Sequence, residues 1–329
     1  IPINMVHLFN LALRFLVHTC GATVVLCTAT QPPLNQLDNP YRALTIHPEQ
    51  HIIQNEQELF ERLKRVEVFD KRKVGGWSAE EVAELAEAQL HEKGSVLAVV
   101  NTKKSARALY QAVVDRKIPC IHLYHLSTNM CPAHRLRVLN KIKAKLKSKT
   151  AKPVICISTQ LIEAGVDIDF GAVIRYLAGM DSIAQSAGRC NRHGLREDDD
   201  LGNVFIVNPQ EENIDRLKDI VIGADKAQTV LADFKGKSNL IGLEAMAAYF
   251  EKYYFARKDE MRYKVGVDDI GRDDDLFNLL SINSLSVKAH RTAPEIQFVQ
   301  SFQSAAKAFR VIDSPTRGVI VPYQEGDRK

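Results

Sequence analysis

PVICISTQLIEAGVDIDFGAVIRYLA, residues 153–178, decides the architecture. Two short runs rich in β-branched residues, PVICIST (153–159) and AVIRYLA (172–178), flank a polar turn. Neither run alternates polar with apolar, the pattern of a strand buried on both faces of a parallel sheet. Outward from this stretch the pattern repeats. A helix over 181–190 and a strand in NVFIVN (203–208) follow it. Upstream lie strands in VEVFD (66–70), SVLAVVN (95–101) and CIHLYH (120–125), and helices in SAEEVAELAEAQLHEK (78–93), KKSARALYQAVVDRK (103–117) and 131–147. Ser78 with Glu81 three residues on forms a capping box, and Gly75-Gly76 marks the turn before it. Strands alternating with helices make an α/β fold with a parallel sheet, whose ligands bind at the carboxyl ends of the strands.

The flanks differ. Val6, Phe9, Leu13, Leu16, Val17 and Cys20 fall at helical spacing, Gly21 ends that helix, and ATVVLCTAT (22–30) reads as a short buried parallel strand. After about residue 210 the strands fade: 211–262 read as mainly helical, 267–275 as an acidic loop, SFQSAAKAF (301–309) as a helix and RGVIVPY (317–323) as a short strand.

The chain has 329 residues, 45% hydrophobic and 26% charged, which excludes a disordered or low-complexity chain. A net charge of +4 permits a polyanionic partner without demanding one. No apolar run reaches about 18 residues, so no membrane partner is expected. The six cysteines, Cys20, Cys27, Cys120, Cys131, Cys156 and Cys190, form no Cys-x-x-Cys pair; several sit in apolar runs as small hydrophobes, which suits a reducing cytoplasm. His122 and His125 have no third ligand near them in sequence, so no metal site is expected.

Four polar segments fall at predicted strand ends. Thr28-Ala29-Thr30 offers hydroxyls that can relay a strand movement, or is an ordinary turn. Asn101-Thr102 either caps the next helix or contacts phosphates of a nucleic acid. In STQLIEAGVDIDF (158–170), Ser158, Thr159, Gln160, Glu163, Gly165, Asp167 and Asp169 crowd one strand end; they suit a sugar–phosphate backbone or a nucleotide, or a capped polar turn. In QSAGRCNRHG (185–194), Gln185, Gly188, Arg189 and Arg192 make Q-x-x-G-R-x-x-R; on a helix the two arginines share a face and form a fork for polyphosphate, or a solvated basic end. The lysines at 141, 143, 145, 147, 149 and 152 are a solvated helix and loop or a guide for nucleic acid, and Trp77 anchors its loop.

Order and position together resemble motifs III to VI of superfamily 2 helicases. VVLCTATQPPL (24–34), VVNTKKSA (99–106), ISTQLIEAGVDIDF (157–170) and DSIAQSAGRCNRHG (181–194) resemble the CRISPR-associated helicase–nuclease of type I systems; YHLSTNMCPAHR (124–135) and FQSAAKAFRVID (302–313) resemble it more softly. The resemblance implies a RecA-like parallel sheet flanked by helices, of the P-loop NTPase type, with a mainly helical C-terminal region. It implies 1–40 as a remnant of a first RecA-like domain with a linker, 41–225 as the second RecA-like domain, and 226–329 as linker helices and part of an accessory domain.

By the same resemblance Arg192 is the arginine finger, Arg189 its phosphate-contacting partner, and Gln185 orients the γ-phosphate or water. Asp167, Gly165 and Gly188 approach the nucleotide; Asn101, Thr102, Ser158 and Thr159 hold the DNA backbone; Thr28, Ala29 and Thr30 couple hydrolysis to movement. The implied cofactors are ATP and Mg²⁺, held with a first RecA-like domain. The implied partners are single-stranded DNA, that domain, an HD nuclease domain and the RNA-guided surveillance complex. Gly236-Lys237-Ser238 lacks the preceding strand and leading glycine of a phosphate-binding loop, and no His-Asp doublet appears, so the chain alone is expected to hydrolyse neither ATP nor DNA. A helicase of repair or RNA remodelling, or a non-catalytic RecA-like binding module, fits the same residues.

Overall fold

A computed structural model describes the chain except at positions 1, 29–33, 36, 38–41, 149–151, 164, 195–199, 237–238, 290–298 and 311–329. It divides into two compact units: one runs to Gln54 and resumes at Phe250, the other is Asn55–Tyr249.

In the first unit, α1 (Val6–His18) follows a short 3-10 turn. Its predicted apolar face is buried at Val6 and Leu13, but Leu16, Val17 and Cys20 are exposed. The strand expected over ATVVLCTAT does not form in its described part, residues 22–28. Residues 21–28 carry no ladder pairing, and Val25 is 63% exposed. A parallel strand exists only against a neighbour, and none of the described strands takes this one.

The second unit carries, in chain order, α2 (Glu56–Arg62), β1 (Val66–Asp70), α3 (Ala79–Lys93), β2 (Ser95–Val100), α4 (Lys103–Asp115), β3 (His122–Leu126), α5 (Pro132–Lys147), β4 (Val154–Thr159), β5 (Ala172–Tyr176), α6 (Met180–Ala187), β6 (Gly202–Val207) and α7 (Lys218–Asp233). The six strands form one sheet in the order β1-β6-β5-β2-β4-β3. Every pair is parallel. On one face Val96, Ala98, Val100, Ile155, Ile157 and Ile174 pack against Val82, Ala86 and Leu90 of α3 and Ala106 and Leu109 of α4. On the other, Leu97, Val99, Cys156 and Val173 meet Ile142 of α5, Ile162, Phe170 and Ala187 of α6. Burial on both faces is why these strands read as unbroken apolar runs. The helix after β2 covers one face and the helix after β5 the other, so a crevice opens at the carboxyl ends of these adjacent strands.

The capping box forms as read: Glu81 N donates to Ser78 Oγ at 3.2 Å and Ser78 N to Glu81 Oε2 at 2.9 Å. Gly76 takes φ 76°, and a Cβ there would lie 2.7 Å from Gln210 Cα, so only glycine fits. Trp77 anchors its loop by donating Nε1–H to Lys71 O at 2.6 Å. His122 and His125 stand on opposite faces of the edge strand β3 and do not converge. Cys156 and Cys190 are buried as small hydrophobes, whereas Cys27 is exposed.

α8 (Leu243–Ala256) runs from the second unit into the first, which then adds β7 (Lys264–Val265), α9 (Val267–Ile270), β8 (Asp274–Asp275), α10 (Leu276–Leu280), α11 (Ser284–Ala289) and α12 (Phe302–Ala308). The acidic stretch 267–275 is therefore not a plain loop: Asp269 accepts from Gly266 N at 3.2 Å and Gly271 closes the turn at φ 78°. Leu276, Leu279, Ala305 and Ala308 form this unit's small core with Val265. The strand expected over 317–323 and the residues Lys237 and Ser238 lie outside the described residues. Among the described residues no helix is long and apolar enough to cross a membrane.

Candidate functional site

Three polar segments of the sequence meet at the carboxyl end of the sheet. β2 runs into Asn101-Thr102, β4 ends at Ser158-Thr159, and β5 leads through Leu177 to α6. Because Val100 is level with Thr159 in the ladder, the first two segments are neighbours.

Thr102 caps α4, its side chain accepting from Ser105 N at 3.0 Å. Asn101 is buried. Its Nδ2 donates to Leu177 O at 2.9 Å and to Glu212 Oε2 at 2.8 Å, and its Oδ1 accepts from Arg175 Nη1 at 2.7 Å. Arg175, on β5, is fully buried, a cost offset by partners on both Nη atoms, while its Nε has none among the described residues. Nη2 pairs with Glu163 Oε1 at 3.0 Å and donates to Ser182 Oγ at 2.9 Å; Nη1 also donates to Tyr176 O at 2.8 Å. Ser182 and Ser186 of α6 donate to Glu163 at 2.8 and 3.2 Å. Burial pushes the Glu163 carboxyl above its usual range, opposed by the Arg175 charge and the serine hydroxyls. Glu163 thus faces the interior and holds three segments together, rather than lining a surface.

Thr159 is 7% exposed and its Oγ1 has no hydrogen-bond partner among the described residues. Ser158 is fully buried, and its hydroxyl donates to Thr159 O at 2.8 Å. It does not reach the open end of the strand, because alternation turns it to the α5 face.

The arginine motif departs from the helical reading. α6 stops at Ala187, with Gly188 as its C-cap. The chain then turns back: Phe170 N donates to Arg189 O at 2.9 Å and Asn191 N to Phe170 O at 2.9 Å, with Asn191 at φ 45°. Arg189 and Arg192 therefore share no helical face and form no fork. Arg189 is buried, donating Nε–H to Ile162 O at 3.0 Å and Nη2–H to Glu163 O. Arg192 is exposed. Its Nε–H donates to Asp167 Oδ1 at 3.0 Å and its Nη1–H to Gly188 O at 3.2 Å. Asp169 fixes its backbone by accepting from Arg192 N at 2.8 Å, and Arg65 Nη1 donates to Arg192 O.

Both arginines still address the 160–167 turn, one from within and one from the surface. The hydrogen bond from Arg192, with the His193 and Arg192 charges, holds the Asp167 carboxyl below its usual range. Gly165 gives that turn φ 69° with open space around it. Gln185 is half-buried on α6. Thr28 is exposed; Ala29 and Thr30 lie outside the described residues.

Sequence reasoning missed Arg175, Glu212 and Arg65. Arg175 had a signal, a lone charge inside the apolar run AVIRYLA, which a strand buried on both faces tolerates only with partners. Glu212 and Arg65 had none, since their contacts lie 111 and 127 residues away in the chain.

Residues 92–195 match the family model "CRISPR-associated nuclease/helicase Cas3, C-terminal". A curated relative, the CRISPR-associated nuclease/helicase Cas3 of Methanothermobacter thermautotrophicus, is 30% identical over 151 residues, 44% of this chain and 16% of the relative. That of Haloferax volcanii is 60% identical over 40 residues, 12% of this chain and 4% of the relative. The chain thus spans well under a fifth of each relative's length. The solved structure of T. fusca Cas3 is 18% identical with a TM-score of 0.47, covering 60% of this chain and 26% of that one. The resemblance to the C-terminal part of this helicase–nuclease, carried in the sequence by the motifs, is met again over residues 92–195, and the sheet that holds them is six-stranded, parallel and flanked by helices.

Proposed function

We propose, on the premise that residues 92–195 are a Cas3-like C-terminal segment, that this chain provides the second motor domain of an ATP-driven helicase acting on single-stranded DNA in CRISPR interference. One observation carries the reading: the motif-bearing carboxyl ends of β2 and β4 are neighbours, and Arg192 stands exposed on a turn braced by Asp169 just before β5, toward the amino ends of the strands.

The nucleotide fits this arrangement at Arg192. Among the described residues its Nη2 has no partner, and its one anionic contact, Asp167, is itself exposed. ATP, held against a first RecA-like domain that also holds Mg²⁺, supplies the phosphoryl bond whose cleavage drives the cycle. Arg192 acts as the finger, able to contribute roughly 10³–10⁵ in rate. Asp167 keeps that guanidinium parked, and Gly165 and Gly188 let backbone approach the ligand closely. Gln185 orients the γ-phosphate or water. Arg189 sets the shape of the 160–163 turn through its carbonyls, and so acts on the nucleotide indirectly. Asn101, Thr102 and Thr159 take phosphates of the DNA strand; Ser158 supports them from behind. Thr28, Ala29 and Thr30 couple the motor halves. An HD nuclease domain and the RNA-guided surveillance complex are the proposed partners.

The test is Arg192→Ala in the full-length gene product. DNA-stimulated ATP hydrolysis falls by about three orders of magnitude or more, while ATP and DNA still bind. Hydrolysis within tenfold of the parent protein would sink the reading.

A further inference from the structure

At the start of α4 one side chain already occupies the place of an anion. Asn101 N and Thr102 N both donate to Glu212 Oε1, at 3.0 and 3.1 Å, and Asn101 Nδ2 donates to Oε2 at 2.8 Å. The helix behind these amides is 13 residues long, and its N-terminus favours negative charge. Arg175 stands one hydrogen bond further back, through Asn101 Oδ1. Glu212 comes from the irregular segment after β6 and is half-exposed, so it is not locked in the sheet core.

The buried Thr159 hydroxyl supplies a second, independent observation. Among the described residues it has no partner, and it lies on the sheet face covered by α4, level with the residue that leads into Asn101. Both oxygens of Glu212 are taken up by three N–H donors, and the Thr159 hydroxyl has no partner among the described residues. A phosphodiester carries two non-bridging and two ester oxygens, enough to satisfy the amides and Thr159 together.

We propose that Glu212 is an internal stand-in for a backbone phosphate, seated on the Asn101 and Thr102 amides until the nucleic acid displaces it. The carboxylate keeps the donors satisfied in the free chain and sets a threshold that only a polyanion overcomes. This rests on the reading above that these strand ends take single-stranded DNA.

The experiment measures binding of a fluorescein-labelled oligothymidylate to the 329-residue chain by anisotropy at fixed salt. Glu212→Ala should tighten binding roughly threefold to tenfold, and Thr159→Val should weaken it with or without Glu212. Glu211→Ala removes the same charge at an exposed neighbour and should change little; a gain equal to that of Glu212→Ala overturns the proposal. Unchanged or weaker binding by Glu212→Ala, while the parent binds and Thr159→Val weakens it, overturns the proposal and leaves the DNA reading standing. No binding by the parent or by Glu212→Ala overturns both. Should Glu212→Ala not fold, the parent chain decides by NMR: the Asn101 and Thr102 amide resonances must shift as the oligonucleotide saturates, and fixed resonances overturn the proposal.

Discussion

Arg175→Met tests how the three strand-end segments are held together. In the parent protein the guanidinium is fully buried, paired with Glu163 at 3.0 Å, and hydrogen-bonded to Asn101, Ser182 and the Tyr176 carbonyl. Methionine keeps much of the volume but strips the charge and its donors. Glu163, 9% exposed, is left with only the Ser182 and Ser186 hydroxyls. Breaking a buried ion pair from one side costs about 3–5 kcal/mol, because the remaining charge stays desolvated. Removing both sides is different. In Arg175→Met with Glu163→Leu neither charge of the pair remains, and the residual cost is that of unmet hydroxyl and amide groups, about 1–3 kcal/mol. The double variant should therefore be more stable than Arg175→Met alone, with a coupling of ~2 kcal/mol between the sites. Urea unfolding followed by circular dichroism measures this, with m held constant across the set so that midpoints report stability. A cost for Arg175→Met below about 1 kcal/mol, or a double variant at the plain sum of the singles, would refute the claim that the pair acts as one buried unit.

Four further outcomes follow from the same contacts. Burial raises the Glu163 pKa, so its carboxyl contributes stability that is full below the ordinary value of 4.5 and lost as pH rises through the higher folded value. Arg175→Met removes the charge that opposes this rise, so its deficit at pH 8 should exceed that at pH 5; a deficit independent of pH contradicts the assignment. Arg189→Met, losing two charge-assisted bonds to the 162–163 carbonyls, should cost ~2 kcal/mol in urea, whereas Arg192→Ala should leave the midpoint unmoved. Gly76→Ala should cost about 1–3 kcal/mol by thermal unfolding, from φ 76° and the Gln210 backbone beside it; a neutral result means the turn relaxes. The purified 329-residue chain should show no ATP turnover, and turnover that Arg192→Ala abolishes would contradict the assignment of the phosphate loop to another domain.

The sheet was legible because each central strand is buried on both faces, and burial of that kind leaves a continuous apolar run in the sequence. The capping box at Ser78 and the turn at Gly75-Gly76 were legible because their chemistry is local. The failures share the opposite property. ATVVLCTAT has the composition of a strand, but a strand is a relation to a neighbour, and composition does not supply one. The end of α6 was misread because Q-x-x-G-R-x-x-R fits helical spacing, while the bridge from Cys190 to Phe170 that bends the chain away is a contact 20 residues distant. Ser158 was given a surface role because it is a hydroxyl at a strand end; alternation puts it on the interior face and leaves Thr159 as the unmet hydroxyl.

The two arginines of the last motif show what divides a structural cation from a functional one. In sequence they are the same residue type three positions apart, and charge alone assigns them equal roles. Arg189 is buried, and burial forces its donors onto fixed carbonyls of the chain; no donor so engaged can also meet a ligand without opening the 160–163 turn. Among the described residues the Arg192 side chain is held only by an exposed carboxylate and one carbonyl, contacts weak enough in water to exchange for a phosphate. Its backbone, by contrast, is fixed by Asp169 and Arg65. A rigid backbone under an exchangeable side chain is what a ligand-seeking guanidinium requires, since the position is preset and only the head group must move. Arg189 then contributes by making that position reproducible, which links the buried network around Arg175 and Glu163 to the exposed charge through a single turn of chain.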